Sequence, residues 1–174
     1  NVSSARLCTT LKNNKGVKVS TVEHLLAAFY IAGIDNALVE IDNEEVPIMD
    51  GSSKFFFQIF ESIDKVDQSK KRKYLKILNK VEVIDGKRKI SIEPNNQNSL
   101  EVDFQLQYKN RIIGNQKNCI NFNLDKLEEI CNSRTFCLFE DIQKIKELGL
   151  AKGGSLDNAI VVDGEKILND KGLR

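Results

Sequence analysis

Residues 21–29 read TVEHLLAAF, and the spacing of their apolar side chains predicts an amphipathic helix. The apolar positions recur at i, i+3, i+4 and i+7 and are expected to line one face: Val22, Leu25, Leu26 and Phe29. Ser20 or Thr21 is expected to cap the helix, and Glu23 stands in the first turn, where the helix dipole favours a carboxylate. Glu23 and His24 are therefore predicted to be neighbours on a rigid element.

Glu23 and His24 are the first candidates for chemistry, and His24 is the single histidine of the chain. An imidazole can bind a metal ion while a neighbouring carboxylate accepts protons from bound water. The alternative is that the pair forms only the polar edge of a core helix. A zinc hydrolase site needs three protein ligands and an open position, so these residues indicate at most part of a metal site, and the spacing of the cysteines disfavours a set that includes Cys8.

Composition narrows the class of protein. Hydrophobic content of 41% and charged content of 29% are typical of a globular protein, and a net charge of +1 gives no indication of a nucleic-acid surface. No run approaches the roughly 20 apolar residues of a membrane span. The cysteines show no CxxC spacing, which predicts reduced thiols in a cytosolic protein: Cys8, Cys119, Cys131 and Cys137. The chain begins at Asn1 rather than Met, and we expect it to be a fragment of a longer protein.

Working outward from the helix, the first half predicts helices and strands in alternation. The predicted elements are strands over 5–11, 16–20 and 36–42, a helix from 21 that ends at Gly33, and a helix carrying Phe55, Phe56, Ile59, Phe60 and Ile63. After the charged stretch 64–73, the second half predicts more strands. They cover 74–84, 87–93, 100–108, 119–123, 159–162 and 166–168, with an Asp85-Gly86 hairpin turn and helices over 124–131 and 139–148. The pattern predicts two α+β halves.

Two further stretches stand out from the scaffold. Residues 133–136 read SRTF, a polar patch between two predicted helices, and residues 153–155 read GGS. Taken alone, Thr135 could be a capping or turn residue rather than a catalytic donor. The Gly-Gly-Ser stretch could be a plain loop, because it lacks the strand and helix context of a phosphate-binding loop.

Several blocks in the same order resemble the zinc-dependent UDP-3-O-acyl-N-acetylglucosamine deacetylases of lipid A biosynthesis. The blocks are STVEHL (20–25), GIDN (33–36), PIMDGS (47–52), SRTF (133–136), GLAKGGSLDNA (149–159) and VVD (161–163). The resemblance runs from about Arg6 to Arg174. It implies an α+β fold of two domains, each a β-sheet with a helical layer, with the helices packed between the sheets. The expected boundaries are a partial first domain at 1–69 and a partial second domain at 70–174, with a small inserted βαβ-like unit at about 134–162.

The resemblance also implies roles for individual residues. His24 matches a zinc ligand, Glu23 matches the general base that takes a proton from zinc-bound water, and Thr135 matches the hydroxyl that donates to the developing oxyanion. Substrate-contacting positions are matched by Phe136, Gly154, Ser155 and Leu156. An apolar passage for the acyl chain would be lined by Leu138, Phe139, Ile142, Ala151, Leu156, Ala159 and Val161, for which ordinary core packing is the alternative.

The implied activity is zinc-dependent hydrolysis of the N-acetyl group of UDP-3-O-acyl-N-acetylglucosamine, an early committed step of lipid A biosynthesis. The family's His-Lys-x-x-Asp motif, which supplies the other zinc ligands, and a further histidine acting as general acid do not occur in this sequence. We therefore expect the fragment alone to be inactive. The alternative is a non-catalytic remnant that binds acylated sugar nucleotides. The parent protein is expected to be a cytoplasmic monomer that uses Zn2+ and an acylated UDP-amino sugar, without nucleic acid or a membrane span.

Overall fold

The computed structural model describes residues 1–170 and residue 172. Within them the helices are α1 (Glu23–Ile31), α2 (Lys54–Glu61), α3 (Leu127–Cys131) and α4 (Phe139–Glu147). The strands are β1 (Val2–Ser4), β2 (Thr10–Lys12), β3 (Lys18–Val19), β4 (Val81–Asp85), β5 (Arg88–Ile92), β6 (Glu101–Gln107), β7 (Asn115–Asn121), β8 (Phe136–Leu138), β9 (Ile160–Asp163) and β10 (Lys166–Ile167). They form sheets in the orders β1-β2-β3, β10-β9-β8, β4-β5 and β6-β7. The predicted α+β class is confirmed.

The chain divides into two compact units. The first contains Asn1–Lys65, Gln105–Gln116 and Lys126–Arg174, and the second contains Val66–Phe104 and Lys117–Asp125. This grouping differs from a division into 1–69 and 70–174. The reason is that hydrogen bonds join residues 134–135 to residues 50–51 inside the first unit. The predicted two-domain arrangement, with helices between sheets, stays a prediction.

Helix α1 begins without the predicted side-chain cap. Its N-cap position is Val22, and no side chain there forms a capping hydrogen bond. Thr21 has a φ of 58° and donates its hydroxyl to Glu45 Oε1 at 2.6 Å. The prediction of a Ser20 or Thr21 cap was wrong because the Thr21 hydroxyl is used by a residue 24 positions further along the chain.

One face of α1 packs into the core of the first unit. Val22 and Leu25 are buried with Val46, and Phe29 packs against this cluster. Leu26 is 49% exposed, so it does not belong to the buried face as predicted, since Ala28 takes the inner position instead. Removal of these side chains from water is the main stabilising term available to so short a helix.

The end of α1 agrees with the sequence. Gly33 has a φ of 70°, and its N–H donates to the Tyr30 carbonyl. The next N–H, from Ile34, donates to the Phe29 carbonyl at 2.9 Å. This pair of bonds is a Schellman motif, which needs a residue with a left-handed backbone after the last helical turn.

Helix α2 lies where its aromatic spacing predicts, although it ends at Glu61 and leaves Ile63 outside the helix. The rings of Phe60 and Phe29 stack with centroids 4.6 Å apart, and this contact joins α2 to α1. The strand predicted over 36–42 is wrong: these residues form no strand, and Leu38 is 88% exposed. A strand requires a neighbouring strand to complete its ladder, and no strand among the described residues pairs with this stretch.

Sheet β10-β9-β8 supplies the second core of the first unit. Strands β8 and β9 pair in parallel, and α4 connects them, which makes a βαβ crossover over residues 136–163. Ile160 and Val162 are buried with Ile113, and Phe136 packs against them. Strand β8 could not be predicted from apolar spacing, because a three-residue strand carries too little periodicity to recognise.

The second unit is built from exposed strands. The hairpin predicted at Asp85-Gly86 is confirmed, with Val83 opposite Ile90 in the antiparallel β4-β5 pair. The strand predicted from residue 74 begins only at Val81. No helix among residues 1–170 is long and apolar enough to cross a membrane.

Candidate active site

The carboxylate of Glu23 is held by the main chain before β2. Its Oε2 accepts a hydrogen bond from the N–H of Thr9 at 3.0 Å, and the side chain is half-buried. The N–H of Val22 in turn donates to the carbonyl of Thr9. Two contacts with one residue therefore fix the first turn of α1 and aim the carboxylate, and its other oxygen accepts no hydrogen bond from residues 1–170.

The imidazole of His24 is half-buried beside two carboxylates. Burial lowers the pKa of His24 below 6.5, and the negative charges of Glu23 and Asp50 oppose this effect without cancelling it. The ring forms no hydrogen bond with any residue of 1–170. At neutral pH the ring is therefore neutral, and a neutral imidazole has a nitrogen lone pair that can bind a cation.

Because the chain has one histidine, this pKa can be measured without overlap. We expect NMR titration of the metal-free protein to give a His24 pKa below 6.5. Between that value and 6.5 the unfolded chain binds more protons than the folded chain, so the unfolding free energy should fall as the pH drops below 6.5. Urea denaturation across this range should show the loss, and His24→Gln should remove it. A titration midpoint above 6.5 would contradict the burial of the ring.

The turn that follows Pro47 connects the His24 region to the SRTF segment. Asp50 Oδ1 accepts hydrogen bonds from the N–H and the hydroxyl of Ser52, at 3.1 and 2.6 Å. Gly51 has a φ of 80°, and its carbonyl accepts the N–H of Thr135 at 2.8 Å. Asp50, whose carboxylate acts on His24, is thus directly followed by Gly51, whose carbonyl holds Thr135.

Thr135 is fixed through its main chain on both sides. Its N–H donates to Gly51, and its carbonyl accepts the N–H of Ile160 at 2.9 Å, at the entrance to β9. The hydroxyl of Thr135 has no hydrogen-bond partner within the described part of the chain. A hydroxyl on a fixed backbone, with no competing partner, is suited to donate to a reacting group.

Two residues that sequence reasoning left without a role hold this region together. Arg134 donates from Nε to the Asp50 carbonyl at 2.7 Å and from Nη2 to the Asp157 carbonyl at 2.6 Å. Asn169 is buried and accepts the Val161 N–H at 2.8 Å through its side-chain oxygen. Arg134 lies in a block singled out by the sequence, whereas Asn169 has no neighbouring pattern that could have revealed it.

The loop predicted to contact substrate lies on the surface. Gly154, Ser155 and Leu156 are exposed. The Asn158 side chain accepts the Ser155 N–H at 2.9 Å and donates to the Gly153 carbonyl at 2.9 Å. The loop is therefore shaped by its own hydrogen bonds, and its contact with a substrate stays a prediction.

The residues predicted to line an apolar passage do not share one environment. Leu138 packs against the buried cluster of Ile160 and Val162, as the core-packing alternative expects, and Phe136, which was predicted to contact substrate, packs against the same cluster. Val161 is also buried. The others are half-buried or exposed on the surface of the first unit: Phe139, Ile142, Ala151, Leu156 and Ala159. Their role in binding an acyl chain remains a prediction.

The described residues do not by themselves fit a zinc centre. No group of three or more His, Cys, Asp or Glu side chains in 1–170 is arranged to hold a metal ion. His24 has a free imidazole and a nearby carboxylate, which amounts to part of a ligand set, whereas catalytic zinc needs three protein ligands.

Comparison with known proteins agrees with the resemblance of the sequence blocks. The family model described as LpxC, UDP-3-O-acyl N-acetylglycosamine deacetylase, matches residues 1–174. A curated relative from Phenylobacterium zucineum, named UDP-3-O-acyl-N-acetylglucosamine deacetylase, is 40% identical over 99% of this chain. A relative of the same name from Nautilia profundicola is 44% identical over 92% of this chain. Another, from a Nitratiruptor species, is 41% identical over 100% of this chain. The chain spans 59%, 55% and 58% of the lengths of these three relatives. Because the family model matches along the whole chain, this chain belongs to the LpxC family of UDP-3-O-acyl N-acetylglycosamine deacetylases.

Proposed function

We propose that the whole protein hydrolyses the N-acetyl group of UDP-3-O-acyl-N-acetylglucosamine and releases acetate, as a step of lipid A biosynthesis. The family and the names of the relatives support this reaction. The observation that carries the proposal is the link through residues 50–51. Asp50 acts electrostatically on His24, and the carbonyl of Gly51 accepts the Thr135 N–H at 2.8 Å. The Glu23 carboxylate, the His24 imidazole and the Thr135 hydroxyl, which have complementary roles, therefore lie in one compact unit.

Glu23 is the general base of the proposed reaction. Its carboxylate accepts a proton from the water that attacks the amide carbonyl. Its bond with the Thr9 N–H fixes the side chain, and the second oxygen stays available for the proton. A positioned general base typically contributes about 10²–10⁴-fold to rate.

Thr135 is the proposed donor to the oxyanion that forms when water adds to the carbonyl. The hydrogen bonds of its main chain to Gly51 and Ile160 fix its position before substrate binds. A donor that is already oriented stabilises developing charge without a cost of rearrangement during the reaction.

Zinc is proposed as the cofactor of the whole protein, with the His24 imidazole as one ligand. The metal would supply Lewis-acid polarisation of the amide carbonyl. The proposal is supported by the neutral state of the ring and by its lack of a hydrogen bond within the described residues. The described residues do not by themselves complete its ligand set.

The proposed substrate is an acylated UDP-amino sugar. Phe136 and residues 154–156 would contact it, and the acyl chain would lie along the more exposed of the predicted passage residues, such as Phe139 and Leu156. We also propose that the protein acts as a monomer in the cytoplasm. A net charge near zero agrees with a partner other than nucleic acid.

The deciding experiment measures acetate release from UDP-3-O-acyl-N-acetylglucosamine by the purified full-length protein. We expect turnover that a chelator abolishes and that added zinc restores. His24→Ala should lower both the bound zinc and the rate, while Lys65→Ala, an exposed change outside the site, should alter neither. Tight binding of the nucleotide sugar without acetate release would overturn the proposed reaction and would favour a non-catalytic binding protein.

A further inference from the structure

Arg134 directly precedes Thr135, and its side chain holds two separate segments of backbone. Nε donates to the Asp50 carbonyl at 2.7 Å. Nη2 donates to the Asp157 carbonyl at 2.6 Å and to the Leu156 carbonyl at 3.3 Å. One guanidinium therefore joins the turn at residues 50–51 to the loop at residues 156–157.

The chemistry of these contacts indicates a positioning role. A guanidinium offers five N–H donors in a fixed planar arrangement, which can satisfy several carbonyl oxygens at once. The hydrogen-bond partners of Arg134 are main-chain carbonyls, and no carboxylate forms an ion pair with it within the described residues. The side chain thus orders the backbone rather than balancing a neighbouring charge.

The ordered backbone lies against Thr135. The Gly51 carbonyl accepts the Thr135 N–H, and a Cβ atom built on Gly51 would lie 3.1 Å from Cγ2 of Thr135. A shift of the turn would therefore move the threonine side chain. We propose that Arg134 is a positioning residue that fixes the Thr135 hydroxyl by holding residues 50–51 and 156–157 on either side of it. This inference rests on the proposed function, which assigns the oxyanion contact to Thr135.

The fold does not depend on Arg134 alone. Asn169 donates from Nδ2 to the Leu156 carbonyl at 2.7 Å and to the Ala159 carbonyl at 2.8 Å. The loop therefore keeps a second attachment when the guanidinium is removed. Variants of Arg134 are expected to fold, so their kinetics can be interpreted.

The first test is a double-mutant cycle in the full-length protein, with deacetylation of UDP-3-O-acyl-N-acetylglucosamine as the readout. Thr135→Val removes the hydroxyl but keeps the shape, and it should lower kcat by about 10²–10³-fold. Arg134→Ala should lower kcat by roughly 10–10²-fold, because small displacements of a catalytic group cost about this much. The double variant should be no slower than Thr135→Val alone, because both changes remove the same interaction, the hydrogen bond donated by the Thr135 hydroxyl.

Three controls separate positioning from general damage. Arg134→Lys keeps the charge but cannot bridge both segments, so it should remain impaired. Thr135→Ser keeps the hydroxyl and should retain most of the rate. Arg111→Ala removes an exposed arginine that pairs with Glu165 at 3.2 Å, and it should leave the rate unchanged.

The outcomes distinguish this inference from the proposed function. Full activity of Thr135→Val would overturn both the role of Thr135 as oxyanion donor in the proposed function and the positioning role of Arg134. If the losses in kcat multiply in the double variant, or if Arg134→Ala leaves kcat unchanged, only the role of Arg134 is overturned.

Hydrogen exchange gives a second test that does not depend on activity. In Arg134→Ala the amide protons of Thr135 and Ile160 should exchange roughly tenfold faster than in the wild type, because Thr135 donates to Gly51 in the turn that Arg134 holds and Ile160 donates to Thr135. The amide of Leu26, which donates to the carbonyl of the N-cap residue Val22 at the start of α1, is the internal reference and should not change. Unchanged protection of Thr135 would overturn the positioning role.

Discussion

Glu23→Gln in the full-length protein is expected to lower the rate of deacetylation by roughly 10²–10⁴-fold, the usual contribution of a general base. Glutamine has the size of glutamate, and its side-chain oxygen can still accept the Thr9 N–H, which lies 3.0 Å from Glu23 Oε2. The fold of the first turn of α1 should therefore survive. What is lost is the ability to accept a proton from water at neutral pH.

The matched control for this change is Glu61→Gln at the end of α2. Glu61 is exposed and pairs with Lys65, four residues further along the chain. Acetate release is measured under saturating substrate, and thermal denaturation of both variants verifies the fold. A Glu23→Gln protein with wild-type turnover would exclude Glu23 as the base and would require another proton acceptor.

Gly51→Ala is expected to destabilise the first unit by about 3 kcal/mol, from a strained backbone and a steric clash together. Gly51 has a φ of 80°, which side chains other than glycine rarely adopt. The added Cβ would lie 2.2 Å from the carbonyl oxygen of Asn158, which is backbone and cannot rotate away. Relief of the clash would separate the turn from residue 158 and would displace Thr135 as well.

Gly16→Ala separates the two causes. Gly16 has a φ of 89°, but nothing lies within 4 Å of the Cβ position there. Its substitution should therefore cost only the backbone term, about 1 kcal/mol. Urea denaturation gives both unfolding free energies. Equal costs at the two positions would show that residue 158 yields easily and that the close packing at Gly51 does not matter for stability.

Local chemistry explains which elements were predictable. Helix α1 and its end at Gly33 follow from apolar spacing and from a glycine that can take a positive φ. The hairpin at Asp85-Gly86 follows from a turn sequence that selects its own geometry. Each of these signals lies within a few residues, so no distant partner is needed to form the element.

The predictions that were wrong depend instead on parts of the chain that lie outside a short sequence window. Residues 36–42 have the composition of a strand, yet no described strand pairs with them, and they remain without strand structure. Thr21 has the chemistry of a cap, but Glu45 takes its hydroxyl. The outcome depends in one case on the lack of a partner strand among the described residues and in the other on Glu45, and a short sequence window contains no information about either.

By itself the sequence determined the α+β class, the helix that carries Glu23 and His24, and membership of the LpxC family through blocks of residues in a fixed order. Only the tertiary structure decided that Arg134, Gly51 and Asn169 form the hydrogen-bonded frame around Thr135. The physical reason is that each bond of this frame to the 50–51 turn joins residues 84 positions apart. Such bonds exist only after the chain has folded and the segments have met.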